Sequence, residues 1–417
     1  MKDHKFHPES LMMSYGYKPE WSEGAIKCPI FQTSTFVFSK AEEGKAFFEV
    51  AYGLRDKGEK EKTGLIYSRI NNPDLEILEN RLSLWDKAEE AAVFESGMSA
   101  ITTVFLELLR PGDLLVFSSP VYGGTDHFIR HFLSQMDIQA VEFTPHDTEE
   151  AIRQRIEASG RSHKLKLVYV ETPANPTNTL IDLRMCRALA DHFRGPDNPE
   201  VVLAVDNTYM GPLWQHPLDH GADLSIYSAT KYIGGHSDVI AGAICGSSAM
   251  IKKLKVLRTF LGNMCGPWTG WLLLRSLETL VVRMERQTSN AQKVAQFLSL
   301  HPRIDKVYYP GLLTEANGHQ FEIYQRQCLS PGAMISFDIV GGEHEAFAFL
   351  NKLRMVKMAV SLGSTESLAE HPASMTHAGV DPVHRAEMGI TDKMIRLSIG
   401  VEHADDLIWD LSQALEL

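Results

Sequence analysis

The hydrophobic pattern of this chain alternates between two periods from about residue 90 onwards. Short runs that are apolar throughout, partly β-branched and bounded by Gly, Pro or Asn predict buried strands at residues 91–94, 114–118, 165–171, 201–206 and 224–227. Amphipathic stretches between them predict helices at 98–109, 125–133, 148–159 and 183–193. Strands without a polar face need helices on both sides, so the pattern indicates an α/β fold with a mostly parallel central sheet.

The pattern changes after about residue 267, which predicts a second, smaller α/β domain. A helix-rich stretch at 268–300 precedes strands expected at 333–340, 356–360 and 394–399, with helices near 343–353 and 405–415. Because 417 residues exceed one typical domain, we expect an N-terminal arm and loop at 1–63, a larger domain at 64–266 and a C-terminal domain at 267–417. The charged, glycine-punctuated segment 47–63 is expected to be an exposed loop.

Charge and composition narrow the classes of partner. The net charge of −12 argues against nucleic acids and anionic membranes, which select basic surfaces. No stretch is long and uncharged enough to span a bilayer, and the first residues lack the apolar core of a signal peptide. The five cysteines stand apart and the H-E-x-x-H pattern is absent, so neither disulfides nor a metal site is expected. We expect a protein of the reducing cytoplasm.

The segment YSATKYIGGH contains a lysine just past the end of a predicted strand. Lys231 is therefore expected at the carboxyl edge of the sheet, where open α/β folds bind ligands. Its amine can condense with an aldehyde, and the hydroxyl groups of Ser228 and Thr230 can donate to phosphate oxygens. A surface lysine that follows a strand is the alternative, but the surrounding pattern favours a lysine that binds a ligand.

The predicted strand at 201–206 ends in a carboxylate, Asp206. The next predicted strand, at 224–227, is the one that leads to Lys231. Asp206 is separated from Lys231 by one strand–helix–strand unit, so the two side chains can meet at one edge of the sheet. Pyridoxal 5′-phosphate (PLP) needs an acid beside its pyridine nitrogen, because the protonated ring can take up carbanion electrons. An aspartate at a strand end is otherwise an ordinary cap. Together with Lys231, it favours an enzyme that uses PLP on an amino acid.

Further candidates occupy the ends of other predicted strands or lie within them. The motif ESGMSA lies between a strand and a helix, where backbone N–H groups and the positive helix end can cradle a phosphate. Tyr122, in PVYGG, can stack on a cofactor ring, and Asn175, in ETPANP, can bond a phenolic oxygen. Arg396 lies within an apolar strand. Such an arginine is either paired internally or binds a carboxylate.

Together these motifs resemble one enzyme family. YSATKYIGGHSD, AVDNTY, ESGMSA, VYGGT, ETPANP, HPASMTH and IRLSIGVE are similar to the trans-sulfuration (Cys/Met metabolism) family of PLP-dependent enzymes, from about Tyr67 to the C-terminus. The family includes cystathionine γ-synthase, cystathionine γ-lyase, methionine γ-lyase and the O-acylhomoserine sulfhydrylases. The resemblance implies fold type I of the PLP-dependent transferases, which is aspartate-aminotransferase-like, and a homotetramer of dimers with shared active sites.

The resemblance also implies the roles of individual residues. Lys231 would be the Schiff-base lysine and proton shuttle, Asp206 would pair with the pyridine nitrogen, and Tyr122 would stack on the ring as a catalytic residue. The phosphate would be held by Ser96, Gly97, Met98, Ser228 and Thr230, together with Tyr67 and Arg69 of a neighbouring subunit. The substrate carboxylate and the cofactor O3′ would be positioned by Asn175, Ser361 and Arg396.

The positions that separate members of the family disagree. Val360 stands where cystathionine enzymes commonly carry a glutamate for the distal ammonium, whereas Gly124 and Gly262-Asn263 are similar to the cystathionine enzymes. HPASMTH is most similar to a methionine γ-lyase. We expect a carbon–sulfur lyase that performs γ-elimination on an uncharged sulfur amino acid such as methionine. Cystathionine γ-lyase, γ-replacement by a cystathionine γ-synthase or a sulfhydrylase, and a PLP-binding regulator without activity are the alternatives.

Overall fold

A computed structural model describes residues 4–56, 58, 64–196 and 198–416. Within these residues the strands are β1 (Glu90–Phe94), β2 (Leu114–Ser118), β3 (Gln139–Phe143), β4 (Leu165–Glu171), β5 (Val202–Asp206), β6 (Leu224–Ser228), β7 (Gly242–Gly246), β8 (Ile304–Tyr308), β9 (Met334–Ile339), β10 (Lys357–Met358), β11 (Leu368–Glu370) and β12 (Met394–Ser398). The α-helices are α1 (Pro8–Leu11), α2 (Ala41–Ala51), α3 (Pro73–Asp86), α4 (Gly97–Leu108), α5 (Gly123–His127), α6 (Glu149–Ala158), α7 (Leu183–His192), α8 (Gly211–Trp214), α9 (Ser248–Leu261), α10 (Pro267–Leu277), α11 (Leu280–Ser299), α12 (His319–Gln327), α13 (Glu343–Lys352), α14 (Pro382–Glu387) and α15 (Ala404–Leu415).

The larger sheet has seven strands in the order β1-β7-β6-β5-β4-β2-β3. Neighbouring strands from β6 to β3 pair in parallel, and β7 runs against both β1 and β6. The expected mostly parallel sheet is confirmed, with all five predicted strands in it. The prediction missed β3, whose residues are mostly half-buried or exposed, and β7, which has glycine at both ends.

Alternate residues of the central strands pack on opposite faces of this sheet. Phe117 and Tyr169 belong to one buried cluster, whereas their chain neighbours Val116 and Val168 belong to another. This follows from the two-residue period of a strand. Helices cover each cluster, which is why the strands carry no polar face.

The smaller sheet has the order β10-β11-β12-β9-β8. In this sheet β10 and β11 pair in parallel, and the other neighbouring strands pair antiparallel. The strands predicted near 333–340, 356–360 and 394–399 are present, although β10 is only two residues long. The charged β8 and the three-residue β11 carried too little pattern to be predicted. Val93 of the larger sheet and Phe337 of the smaller one share a buried cluster, so the two sheets meet over a continuous core. The domain boundary expected between residues 266 and 267 stays a prediction.

The N-terminal region differs from the expectation of a loop at 47–63. Residues 47–51 form the end of α2, while residues 57 and 59–63 lie outside the described residues. The prediction was wrong for the first five positions because the charged residues that follow obscured an aromatic helix face. Phe38 packs against both Phe47 and Phe48, with ring centroids 6.0 and 6.3 Å apart. In the described ranges no helix is long and apolar enough to cross a membrane.

Candidate active site

A cavity of about 340 Å³ opens where the carboxyl ends of β4, β5 and β6 face the smaller sheet. The start of α4 and the loops around β10–β12 complete its walls. Its lining residues are Ser96, Gly97, Met98, Ile101, Tyr122, Glu171, Asn175, Asp206, Thr208, Tyr209, Ser228, Thr230, Lys231, Ile240, Val360, Ser361, Leu362, Thr376 and Arg396. The structure therefore brings together all but two of the residues predicted for the site.

Lys231 follows the last residue of β6 by three positions and reaches the cavity. Its Nζ donates to Ser361 Oγ at 2.9 Å. Burial, and then the positive charge of Arg396, lower the pKa of Lys231 to about 8, although Glu370 opposes the shift. An amine with this pKa is partly neutral near neutral pH, and only the neutral amine can attack a carbonyl carbon.

Two buried carboxyl groups lie side by side at the same edge. Glu171 ends β4 and is in register with Asp206, which ends β5. Asp206 accepts from the Thr208 amide at 3.0 Å and from the Tyr169 hydroxyl at 3.3 Å. Burial raises the pKa of both carboxyl groups, and the negative charge of Asp206 further raises the pKa of Glu171. A cation beside the pair would be strongly favoured, since it would relieve this repulsion.

The start of α4 forms a polar corner of the cavity. Ser96 caps the helix by accepting from the Ser99 amide at 2.9 Å. Gly97 and Met98 belong to the first helical turn, whose N–H groups have no intrahelical acceptor and attract anions. A Cβ on Gly97 would lie 2.8 Å from Ser228 Cβ, so only glycine fits. Residues 97, 98 and 228 are therefore well suited to hold a phosphate.

Thr230 reaches this corner from the turn that carries Lys231. Its hydroxyl donates to the Ala241 carbonyl at 3.2 Å and lies 3.0 Å from the Ala241 amide. These contacts tie the Lys231 turn to the segment before β7. The side chain also lines the cavity, and its expected contact with the phosphate stays a prediction.

Arg396, on β12, is paired internally, and it also lines the cavity. Its binding of a substrate carboxylate stays a prediction. Arg396 is 3% exposed. One terminal nitrogen contacts Glu370 Oε1 at 2.7 Å and Asn175 Oδ1 at 3.0 Å, and the other donates to the Ser361 carbonyl at 2.9 Å. Asn175 Oδ1 also accepts from the Tyr209 hydroxyl at 2.6 Å. The guanidinium is thus held rigidly where a substrate carboxylate can meet it.

The mouth of the cavity carries exposed side chains. Tyr122, Val360 and Ile240 are 43%, 56% and 68% exposed, and all three line the cavity. Beside Val360, Ser361 has a φ of +144°, which is unusual for a residue other than glycine. Such strain persists where surrounding contacts enforce it, and here Lys231 and Arg396 both bond to Ser361.

Tyr67 and Arg69 are the two predicted site residues that do not line this cavity. Arg69 donates to the Thr259 carbonyl at 2.5 Å, and its guanidinium carbon lies 5.8 Å from the Tyr67 ring centroid. Tyr67 is 41% exposed. Their expected contact with the phosphate of a neighbouring subunit stays a prediction.

The two glycine positions that suggested a cystathionine enzyme differ in their relation to the site. A Cβ on Gly124 would lie 2.7 Å from the Tyr122 ring, so this position bears directly on the pose of the tyrosine. Gly262 ends α9 with a φ of +73°. Asn263 donates to Thr103 Oγ1 at 3.0 Å, behind α4, and does not line the cavity.

Sequence reasoning missed several lining or supporting residues. Glu171, Thr208 and Tyr209 stand inside motifs that were recognised, so their neighbours were the available signal. Glu370 lies in β11 immediately before HPASMTH and pairs with Arg396. No local pattern marks Glu370, because it lies in a short strand and its partner, Arg396, lies further along the chain. Ile240 looked like an ordinary apolar residue.

The lining residues suit a phosphorylated pyridine aldehyde and an amino acid. The α4 terminus can hold the phosphate, Lys231 can meet the aldehyde, the carboxyl pair can meet the ring nitrogen, and Arg396 can meet the amino acid carboxylate. No group of three or more His, Cys, Asp or Glu that could hold a metal occurs among the described residues.

Comparison with known proteins agrees with this fit. The sequence model of the Cys/Met metabolism PLP-dependent enzymes matches residues 9–416. The chain belongs to this family. It is therefore a PLP-dependent enzyme of sulfur amino acid metabolism, as the motifs indicated, and its cofactor is PLP.

Several family members are similar along their whole length. The L-methionine gamma-lyase of Porphyromonas gingivalis is 40% identical over 395 residues, covering 94% of this chain and 93% of that protein. The cystathionine gamma-lyase of Bacillus subtilis is 37% identical over 409 residues, covering 98% and 99%. The crystal structure of cystathionine gamma synthase from Xanthomonas oryzae pv. oryzae in complex with cystathionine superposes with a TM-score of 0.85 at 34% identity, covering 99% of this chain and 98% of the other. The fold-type prediction is confirmed.

Proposed function

We propose that this enzyme is a carbon–sulfur γ-lyase that acts on an uncharged sulfur amino acid, with methionine as the preferred substrate. Methionine and water would give a 2-keto acid, ammonia and methanethiol. The observation that carries the proposal is Val360 at the cavity mouth, exposed and next to Ser361. The L-methionine gamma-lyases that are 35–40% identical to this chain support it.

Val360 favours a substrate without a distal charge. A carboxylate at this position would attract the distal ammonium of cystathionine by about 1–3 kcal/mol through a charge-assisted hydrogen bond. Valine supplies no such partner, and an ammonium that loses water beside it is penalised by a similar amount. The methyl group of methionine instead gains apolar contact with Val360 and Ile240, which line the same cavity.

Each residue of the site would have one task. Bound PLP supplies an electron sink that makes the hydrogens next to the amino group acidic. Arg396 would bind the substrate carboxylate with Asn175 and Ser361 as supports. Lys231 would then remove the Cα proton and return it later, because its depressed pKa leaves a neutral amine available.

The remaining polar residues would serve the cofactor. Asp206 would keep the ring nitrogen protonated, and Tyr122 would stack on the ring. Ser96, Gly97, Met98, Ser228 and Thr230 would hold the phosphate at the α4 terminus, and Thr230 would also brace the turn that carries Lys231.

We further propose a homotetramer built from dimers, working in the cytoplasm. Exposed Tyr67 and Arg69 lie away from their own chain's cavity, which suits a contact across a dimer interface. Mixing Arg69→Ala subunits with Lys231→Ala subunits, each inactive alone, is expected to restore part of the activity. Mixed oligomers that form and remain inactive would remove the shared-site proposal.

Cystathionine cleavage or γ-replacement is the second candidate, and Gly124 is the observation that favours it. A side chain at position 124 would press on the Tyr122 ring and force it to shift, and the sequence pattern at this position is similar to the cystathionine enzymes. The solved cystathionine gamma synthases at 34% identity are compatible with it.

Product analysis separates these reactions. The purified enzyme is incubated with methionine, homocysteine, cystathionine or an O-acylhomoserine, each with and without an added thiol. The proposal predicts keto acid and volatile thiol from methionine without any acceptor. Preferential release of cysteine from cystathionine, or thioether formation only when thiol is present, would contradict it.

A further inference from the structure

The side chain of Glu171, at the end of β4, accepts hydrogen bonds from two loops that are not its strand neighbours. Its Oε2 accepts from the Tyr122 amide at 2.7 Å, and its Oε1 accepts from the Asn175 amide at 3.2 Å. The two oxygens thus reach two different loops. The side chain is 5% exposed and lines the cavity.

These two loops carry opposite sides of the site. Tyr122 stands at the exposed mouth, while Asn175 Oδ1 contacts the buried guanidinium of Arg396 at 3.0 Å. One carboxyl group therefore holds both the residue expected above the cofactor and the residue that supports the carboxylate-binding arginine.

The contacts continue around the cavity through the C-terminal region. The backbone at Gly123 packs so closely on the Thr376 carbonyl that a Cβ would lie 2.5 Å from the oxygen. Thr376 Oγ1 donates to Glu370 Oε1 at 3.1 Å, and the same oxygen pairs with Arg396 at 2.7 Å. Since Arg396 contacts Asn175, the path closes at Glu171 into a ring around the cavity.

A carboxyl group is an expensive way to make a purely structural contact here. Glu171 is buried next to Asp206, and both the burial and the neighbouring charge raise the pKa of Glu171 well above its usual range. Buried like charges destabilise a fold. Glu171 bears this penalty while its two oxygens fix the backbone of two residues that line or support the site, so the contacts point to a role in the reaction.

We propose that Glu171 is a positioning residue for the reaction, which holds Tyr122 and Asn175 at a fixed separation across the cavity. This inference rests on the proposed function only because the enzyme's rate is measured with a sulfur amino acid as substrate. Loss of the Tyr122 contact would lower kcat, because the ring would tilt relative to the cofactor. Loss of the Asn175 contact would raise KM, because Arg396 would lose part of its support.

The test compares Glu171→Gln and Glu171→Ala with the wild type and with a matched control, Glu150→Gln, an exposed glutamate on α6. A glutamine can accept at only one of its two ends, so one amide contact must be lost. Four quantities are measured on PLP-loaded protein: kcat, KM, the induced circular dichroism of the bound cofactor without substrate, and the urea midpoint.

Glu171→Gln is expected to lower kcat/KM about tenfold, and Glu171→Ala about a hundredfold, since a small misplacement of reacting groups has effects of this size. Both are expected to change the cofactor's circular dichroism, while the urea midpoint falls too little, relative to Glu150→Gln, to unfold the protein under assay conditions. The rate is taken with whichever sulfur amino acid the wild type uses best. A failure of the methionine proposal would thus leave this test intact.

Two results would overturn the inference. Glu171→Gln with kcat/KM within about twofold of the wild type and an unchanged cofactor spectrum would show that Tyr122 and Asn175 need no such link. A fall in the urea midpoint, with activity lost in proportion and the cofactor spectrum unchanged, would show a structural role only. If Glu171→Ala does not fold, the glutamine variant decides by the same criteria.

Discussion

The inner and outer parts of the cavity differ in how firmly their side chains are held. At the inner end, Arg396 and Glu171 are buried and each has several partners within hydrogen-bond distance. At the mouth, Val360 and Ile240 are more than half exposed. Glu171 ends β4 and Arg396 stands within β12, whereas the mouth residues come from loops.

This contrast separates the chemistry from the choice of substrate. Groups that handle protons and charge must be held rigidly, since small displacements remove their effect. Apolar residues at an open mouth can change without disturbing the fold. Members of one family can therefore share Lys231 and Asp206 and still act on different sulfur amino acids.

The largest loss of activity is expected from a substitution at the inner end of the cavity. Lys231→Ala removes the amine that is proposed to move the proton, a contribution worth about 10²–10⁴ in rate, so kcat is expected to fall by at least about a hundredfold. The protein should still bind PLP noncovalently, because the phosphate corner at α4 is separate from the amine. Borohydride should fix a pyridoxyl group on Lys231 in the wild type and in an exposed-lysine control, Lys164→Ala. Label recovered on another lysine would refute the assignment.

A smaller effect is expected at Arg396, the arginine proposed to bind the substrate carboxylate. Arg396→Lys keeps the charge opposite Glu370 but cannot make the forked contacts to Asn175 and Ser361. We expect kcat/KM to fall about 10- to 100-fold, mainly through KM, the effect of losing a charged hydrogen bond. Steady-state kinetics measure it, with Arg184→Lys on the exposed face of α7 as the control. An unchanged KM would place carboxylate recognition elsewhere.

The mouth should change specificity rather than turnover. Val360→Glu is expected to shift the ratio of kcat/KM for cystathionine over methionine by at least about tenfold, equivalent to 1.4 kcal/mol, because the new carboxylate meets the distal ammonium. Val383→Glu, an exposed valine on α14, is the matched control. A wild-type enzyme that already prefers cystathionine would show that Gly124 was the better guide.

The smallest expected effect is the pH dependence of cofactor loading, which is set by Lys231 at the inner end of the cavity. Because the pKa of Lys231 is lowered to about 8, loading of apoprotein with PLP should accelerate about tenfold between about pH 7 and about pH 9 and then level off. The sign also follows for stability. Lys231 loses its proton at about pH 8 in the folded chain but only at a higher pH in the unfolded chain. Between these two pKa values the unfolded chain binds more protons, so the stability of the apoprotein rises with pH. Cofactor absorbance after rapid mixing measures the loading, and a rate independent of pH would contradict the lowered pKa.

The sequence by itself determined the α/β class, most central strands and the family, because buried strands and helix caps have local patterns. Lys231 and Asp206 could be placed together because Asp206 ends one strand, Lys231 follows another, and the carboxyl ends of parallel strands share an edge. The end of α2 was mistaken for a loop because nearby charges outweighed its aromatic residues.

Only the tertiary structure decided how these residues act on one another. Glu171 and Asp206 are 35 positions apart in the chain but in register on neighbouring strands, and Arg396 meets Asn175 across 221 positions. The same packing left Tyr67 and Arg69 outside their own chain's cavity. Contacts of this kind depend on strand register and on the meeting of two sheets, which arise from the whole core and leave no mark in the local order of residues.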